Sequence, residues 1–167
     1  MSASSRPIEK PDEKPGVKPS LTLKRRLNAP PAKVFAAWTD PAQLVRWFGP
    51  SETVEGSVKA EMDVRAGGRF RASFTGCMGE NREYHEVGGV YREVVPNEKL
   101  VFTWAWHTTP ERESLVTVTL KPDGDGTLLT LHHEQFFDQP ARDGHERGWT
   151  GTIDKLERFI AIHEAGD

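Results

Sequence analysis

The sequence predicts an α+β domain with seven antiparallel strands and three helices in the order β-α-α-β×6-α. Three observations predict this class. Two short helical patterns, separated by a stop signal, lie between a first strand and all the others. Alternating apolar and polar segments, broken by glycine-rich turns, follow these helices and are typical of an antiparallel sheet. One long amphipathic segment ends the chain, as expected for a helix that covers the sheet.

The first strand is expected at about 20–27, where three leucines share one face with Arg25. The next segment, 28–50, predicts two helices. Asn28 can cap the first helix, and Asp40 can cap a second that starts at Pro41. Apolar residues then recur at helical spacing through Trp47 and Phe48 until a Gly-Pro pair ends the pattern.

The remaining strands are separated by recognisable turns. Gly67-Gly68 is suited to a tight hairpin, and the run Asp-Gly-Asp-Gly at 123–126 signals another. We expect 76–81 to be a loop that contains the single cysteine, Cys77. The strands themselves are expected near 59–65, from Phe70 to Phe74, and near 84–95, 99–107, 113–121 and 127–135.

The final helix is expected from about 139 to 164, with Asp138 as its cap. One stripe runs along it at spacings of three and four residues, with a histidine at its N-terminal end. Its members are His145, Trp149, Ile153, Leu156 and Ile160. Gly148 and Gly151 lie close to the stripe, and each weakens the helix by about 1 kcal/mol relative to alanine. Close packing or room for a ligand would explain these two glycines.

Several motifs in this order carry a family resemblance. They include Trp38-Thr39-Asp40-Pro41, Trp47-Phe48-Gly49-Pro50, the segment 63–70 (DVRAGGRF), Gly89 to Pro96 and Leu129 to Glu134. Over residues 20–162 the chain resembles the C-terminal-domain family of the heat-shock protein 90 ATPase activator, within the START/Bet v 1-like (SRPBCC) superfamily. The resemblance implies the helix-grip (Bet v 1-like) fold, in which a curved seven-stranded sheet wraps round the long C-terminal helix. One departure is Trp47-Phe48, where the family usually carries two tryptophans.

Composition restricts the partners and the compartment. A net charge of −3 without a concentrated basic face argues against nucleic acid. No apolar run approaches the roughly 18 residues that cross a bilayer, and a single cysteine fits a reducing compartment, so we expect a cytoplasmic protein without a membrane partner. Residues 1–19 are rich in proline and charge and are expected to form a disordered leader before a single domain at 20–164.

The apolar face of the predicted sheet is rich in large aromatic side chains, which suggests a cavity beneath the final helix. Polar residues in register with this face are either paired internally, directed outward to solvent, or part of a wet pocket. Tyr91 and Glu93 are predicted to share that face, and Tyr91 and His133 are the strongest polar pocket candidates. The full set of predicted pocket residues is Arg25, Trp38, Phe70, Phe74, Tyr91, Glu93, Phe102, Trp104, Trp106, His133, His145, Trp149 and Ile153.

Metal and covalent chemistry find little support in the sequence. His132 and His133 point to opposite faces of a strand, so they cannot chelate one ion together. Cys77 has no adjacent base that would activate it, and no nucleophile-elbow or phosphate-binding motif occurs. We therefore expect no metal, no cofactor and no catalytic residue.

Three functions stay open. Binding of a small hydrophobic or aromatic molecule between sheet and helix ranks first. A cyclase- or aromatase-like enzyme, known among relatives in the wider superfamily, would use His133, Tyr91, Glu93 and Arg25. The resemblance also implies a heat-shock protein 90 co-chaperone or stress-response module, but only the short leader precedes the predicted domain here, so a chaperone partner ranks behind ligand binding. Monomer and homodimer are both compatible with the sequence.

Overall fold

The computed structural model describes residues 18–78 and 81–165. Nearly all of the predicted leader at 1–19 lies outside these described residues. Within them the strands and helices follow the predicted order. Their bounds are β1 Leu21–Leu27, α1 Pro31–Thr39, α2 Pro41–Leu44, β2 Lys59–Met62, β3 Arg69–Met78, β4 Asn81–Val95, β5 Lys99–Trp106, β6 Ser114–Asp123, β7 Gly126–Glu134 and α3 Gln139–Ala165.

The strands form one antiparallel sheet in the order β1-β7-β6-β5-β4-β3-β2. Helix α3 lies across its concave face, where Trp149 contacts Trp104 of β5 with ring centroids 5.1 Å apart. The curved sheet, the long C-terminal helix and the two short helices between β1 and β2 confirm the predicted helix-grip fold.

The core lies between the concave face and the helices, and strand alternation places it there. Leu100, Phe102 and Trp104 of β5 are buried, and Val116 and Val118 of β6 continue the same layer. Full burial of such an aliphatic or aromatic side chain contributes roughly 1.5–3 kcal/mol to folding. The apolar periodicity read from the sequence therefore identifies the layer that holds sheet and helices together.

Two of the three predicted helix caps are confirmed. The Asp40 carboxylate accepts a hydrogen bond from the Ala42 N–H at 3.0 Å, and Asp138 accepts one from the Ala141 N–H at 2.9 Å. Asn28 does not cap α1, because Pro30 is the residue before the helix and the Asn28 side chain accepts from an arginine instead.

Helix α2 is shorter than predicted and ends at Leu44. The chain then turns so that Trp47 and Phe48 are both buried. The Trp47 indole donates to the Ala37 carbonyl at 3.1 Å, and this bond fixes α1 and the segment after α2 together. Tertiary burial of two aromatic rings thus overrides the helical pattern that continues to residue 48.

The prediction of a loop at 76–81 is wrong for the residues described at both ends of this segment, because they belong to strands. Strand β3 continues to Met78, β4 begins at Asn81, and Gly76 and Cys77 pair with Glu83 and Arg82 of β4. The His85 ring lies beside Gly76 in this strand, with Nε2 3.6 Å from where a Cβ at Gly76 would be.

A candidate ligand cavity between the sheet and the C-terminal helix

A cavity of about 450 Å³ lies between the concave face of β3–β5 and the N-terminal half of α3. This volume is within the usual range for a small-molecule site. Its walls come from the sheet, the helix and the turn after α2. The lining residues are Phe48, Gly49, Pro50, Phe74, His85, Trp104, Trp106, Pro140, Ala141, Gly144, His145, Gly148, Trp149 and Thr152.

The space exists because α3 carries small residues where it faces this part of the sheet. Ala141, Gly144 and Gly148 line the cavity from the helix side. A Cβ built at Gly148 would meet no atom within 4 Å, so any larger residue there would extend into open space. Gly151, one turn further on, is tightly packed instead, with its Cβ position 3.0 Å from the Ser51 nitrogen. Gly148 therefore faces the open cavity, and close packing accounts for Gly151.

The deeper part of the hollow is filled by aromatic rings. Phe48 and Trp104, with centroids 6.2 Å apart, stand between the large cavity and a second one of only about 30 Å³. Such a volume holds about one water molecule. Trp38, Tyr91 and Phe102 line this small cavity. Only the outer end of the predicted hollow is thus open to a guest.

His145 stands on the cavity wall with both ring nitrogens hydrogen-bonded. The indole nitrogens of Trp104 and Trp106 donate to its Nε2 at 3.3 Å and 2.9 Å. An indole N–H can only donate, so Nε2 is an acceptor and the proton is on Nδ1, which donates to the Ala141 carbonyl at 2.8 Å. These contacts fix His145 as the neutral Nδ1–H tautomer.

His133 is fixed in the opposite tautomer, fully buried behind the cavity wall. The Trp149 indole donates to its Nδ1 at 3.0 Å, which leaves the proton on Nε2. That N–H donates to the Ser114 hydroxyl at 2.7 Å, and the hydroxyl donates in turn to the Trp104 carbonyl at 3.2 Å. Trp104 bonds His145 through its indole and Ser114 through its carbonyl, so three tryptophans, two histidines and Ser114 form one continuous polar network within an aromatic core.

Burial keeps both histidines uncharged. Desolvation, followed by the nearby His145 and His132, lowers the pKa of His133 well below its ordinary value. Desolvation also lowers the pKa of His145, against a smaller raising effect of the bond to Ala141. Burial raises the pKa of the Tyr91 hydroxyl, which stays protonated at neutral pH. None of these three side chains carries a charge at neutral pH.

The predicted pocket residues other than Arg25 and Glu93 fall into three groups. Phe74, Trp104, Trp106, His145 and Trp149 line the large cavity together. Trp38, Phe70, Tyr91 and Phe102 line the small one, which Trp104 and Trp149 also border. His133 and Ile153 are buried in the core and line neither cavity.

The structure places the two charged candidates away from the cavities. Arg25 forms ion pairs with Asp154 at 3.0 Å and Glu157 at 2.7 Å on the outer part of α3. Glu93 is exposed and pairs with Lys99 at 3.3 Å. The prediction that Tyr91 and Glu93 share a face is wrong, because a β-bulge between them shifts the register, so that Tyr91 lies opposite Phe102 but Glu93 lies opposite Val101.

Several residues that line the large cavity were not predicted from the sequence. The position of one of them, His85, could have been predicted. His85 lies directly opposite Phe74 in the β3–β4 pair, and strand alternation from Gly89 through Val87 places it on the same face. Thr152 and Pro50 gave no comparable signal, because their positions depend on how α3 and the turn after α2 pack against the sheet.

The described residues meet neither the requirements of a metal cluster nor those of a membrane-spanning helix. No group of three histidine, cysteine, aspartate or glutamate side chains among residues 18–78 and 81–165 could hold a metal ion. Of the described helices, none combines the length and the apolar character needed to cross a bilayer.

Residues 28–161 match the family model described as Activator of Hsp90 ATPase homolog 1-like protein. The chain belongs to this family. The match begins after β1 and spans both short helices, the residues that line the cavity and most of α3. No curated protein sequence matches the chain.

Solved structures of similar proteins agree with the family's Bet v 1-like (SRPBCC) fold. The AHSA1 protein SPO3351 from Silicibacter pomeroyi is 28% identical with a TM-score of 0.71, and the match covers 87% of this chain and 99% of that one. Protein CV1439 from Chromobacterium violaceum is 26% identical with a TM-score of 0.70, covering 85% and 97%. CalU16 from Micromonospora echinospora is 28% identical with a TM-score of 0.61, covering 87% and 78%.

Proposed function

We propose that this protein binds a small hydrophobic or aromatic molecule in the 450 Å³ cavity. The observation that carries the proposal is the cavity itself, walled by five aromatic side chains and open along Gly148 of α3. The aromatic side chains are Phe48, Phe74, Trp104, Trp106 and Trp149. A guest that removes such walls from water gains roughly 25 cal/mol for each square ångström of apolar surface that it covers.

The hydrogen bonding of His133 and His145 argues against either of them as a general base. A general base needs a free nitrogen within reach of the proton that it removes. Both nitrogens of His145 are engaged, by two indoles on one side and the Ala141 carbonyl on the other. Both nitrogens of His133 are engaged as well, behind the wall. The cyclase- or aromatase-like alternative and the chaperone partner stay predictions from resemblance.

Occlusion of the cavity tests the proposal. Gly148→Phe would place a ring in the open space, whereas Thr150→Phe adds the same ring at an exposed position two residues further along α3. A ligand at 100 times its dissociation constant stabilises a protein by about 2.7 kcal/mol. We expect some members of a panel of neutral aromatic compounds to raise the Tm of the wild type and of Thr150→Phe but not of Gly148→Phe. An equal rise in all three proteins, or no rise in any, would contradict binding in this cavity.

A further inference from the structure

We infer that His85 is the polar recognition group of the cavity and that its ligand is an uncharged aromatic molecule bearing a hydroxyl group. The inference rests on the proposed function and specifies the class of guest. It follows from which polar groups on the cavity wall are already engaged and which one is not.

The described wall of the cavity has no charged side chain of aspartate, glutamate, lysine or arginine. A charged group on a guest would lose its hydration there without gaining a partner of opposite charge, and this cost is large in an apolar site. The buried part of the ligand is therefore uncharged.

Most polar side chains on the wall are committed within the protein. The indole N–H groups of Trp104 and Trp106 donate to His145, and that of Trp149 donates to His133. The Thr152 hydroxyl donates to the Gly148 carbonyl at 2.8 Å. These bonds leave no indole or threonine proton for a guest, so the wall donates nothing from those groups.

His85 differs from them. Its Nε2 is 3.7 Å from a carboxylate oxygen of Glu83, which is too far for a hydrogen bond, and the described residues show no side-chain hydrogen bond to either ring nitrogen. The ring lines the cavity with 39% of its side chain exposed, and it is held against Phe74, at a centroid distance of 5.2 Å, and against Trp106 at 6.1 Å. A neutral imidazole has one donor and one acceptor nitrogen, so the His85 ring can bond a hydroxyl group of a guest.

An imidazole with no hydrogen-bond partner in the described protein favours a guest that carries one hydrogen-bonding group. A hydroxyl on an aromatic ring supplies that group without charge, while the ring packs among the side chains of Phe74 and Trp106. A site that hydrogen-bonds a hydroxyl discriminates against the analogue that lacks it, because that analogue cannot form the bond to His85. His85 would thus set the preference between two guests of equal size.

A matched pair of probes tests this preference. The dissociation constants of 2-naphthol and 2-methylnaphthalene are measured by equilibrium dialysis at neutral pH, where both are uncharged. Three proteins are compared: the wild type, His85→Phe, which keeps a ring against Phe74, and His85→Gln, which keeps an acceptor. Circular dichroism confirms that each variant is folded. We expect the ratio of the two dissociation constants to favour 2-naphthol about fivefold more in the wild type than in His85→Phe, which is the value of one net hydrogen bond.

We expect His85→Gln to keep at least part of this difference from His85→Phe. An equal ratio in the wild type and in His85→Phe, while both probes bind, would overturn the role of His85 and leave ligand binding intact. Binding of neither probe, together with an unresponsive compound panel, would overturn the proposed function as well.

Discussion

The tautomers of the two buried histidines are set by tryptophan indoles, which can only donate hydrogen bonds. A proton added to Nε2 of His145 would face the N–H groups of Trp104 and Trp106, and one added to Nδ1 of His133 would face that of Trp149. Protonation of either ring therefore breaks bonds that hold α3 to the sheet. The network stabilises the domain only while both histidines are neutral.

This arrangement predicts a loss of stability in mild acid. Because the pKa of each histidine is lowered in the folded state, the unfolded chain binds more protons between that lowered pKa and about 6.5. The free energy of unfolding should be independent of these groups above pH 7.5. Below about pH 6.5 it should fall by up to about 1.4 kcal/mol per pH unit for each histidine.

Urea unfolding at half-unit intervals from pH 5 to pH 8 measures this slope. His145→Gln keeps a polar side chain but removes one titrating group, so its slope below pH 6.5 should be shallower than that of the wild type. Equal slopes for wild type and variant would show that His145 does not titrate as inferred from its contacts.

Single residues also show how far the sequence predicts the site. His133 and His145 stand out because a polar residue interrupts an apolar stripe, and the structure makes His133 fully buried and His145 half-buried on the cavity wall. Their partners could not be predicted, because each indole comes from an element 16 to 41 residues away in the chain. Arg25 interrupts an apolar stripe in the same way, but its side chain forms ion pairs with Asp154 and Glu157 on the outer part of α3.

Helix α3 carries two glycines, Gly148 and Gly151, that lie next to the same apolar stripe in the sequence. Their surroundings in the structure differ. Gly148 faces open space, whereas the backbone of Ser51 lies 3.0 Å from the Cβ position at Gly151. Alanine has a higher helix propensity than glycine at both positions, by roughly 0.5–1 kcal/mol. Only at Gly148 is that gain free of a steric cost.

We therefore expect Gly148→Ala to raise the free energy of unfolding by about 0.5–1 kcal/mol. Gly151→Ala, the matched control on the same helix, should gain less than Gly148→Ala, because the turn after α2 must shift to admit the methyl group. Urea unfolding of the two variants and the wild type decides the order. A larger gain at Gly151 would contradict the packing described for the helix.

Strands were predictable where alternation is regular and not where it is interrupted. The inner row of β5, from Leu100 to Trp106, follows from period-two spacing alone. The bulge in β4 places two residues opposite one, and no glycine or proline between Tyr91 and Glu93 marks it. Every position beyond such a bulge changes face, which is why Tyr91 lies inside and Glu93 outside.

Across the domain, the concave side of the sheet is divided into a filled part and an open part. Trp38 and Trp47 pack edge to face with centroids 4.8 Å apart near α1. Phe48 contacts both Phe74 and Trp104, which places it at the boundary with the open cavity. The family fold implies the hollow, but the sizes of individual side chains decide how much of it is open. Phe48 thus sets the depth available to a guest.

Truncation of Phe48 tests whether this residue sets the depth of the cavity. Phe48→Ala should join the 30 Å³ and 450 Å³ cavities and lower the free energy of unfolding by about 3–5 kcal/mol, the usual cost of removing a buried ring. Phe159→Ala removes an equally buried ring from the C-terminal half of α3, outside both cavities. If Phe48 sets the depth, Phe48→Ala alone should shift affinity from two-ring toward three-ring aromatic compounds, as measured by equilibrium dialysis. The same shift in Phe159→Ala, or none in Phe48→Ala, would show that guests do not reach this boundary.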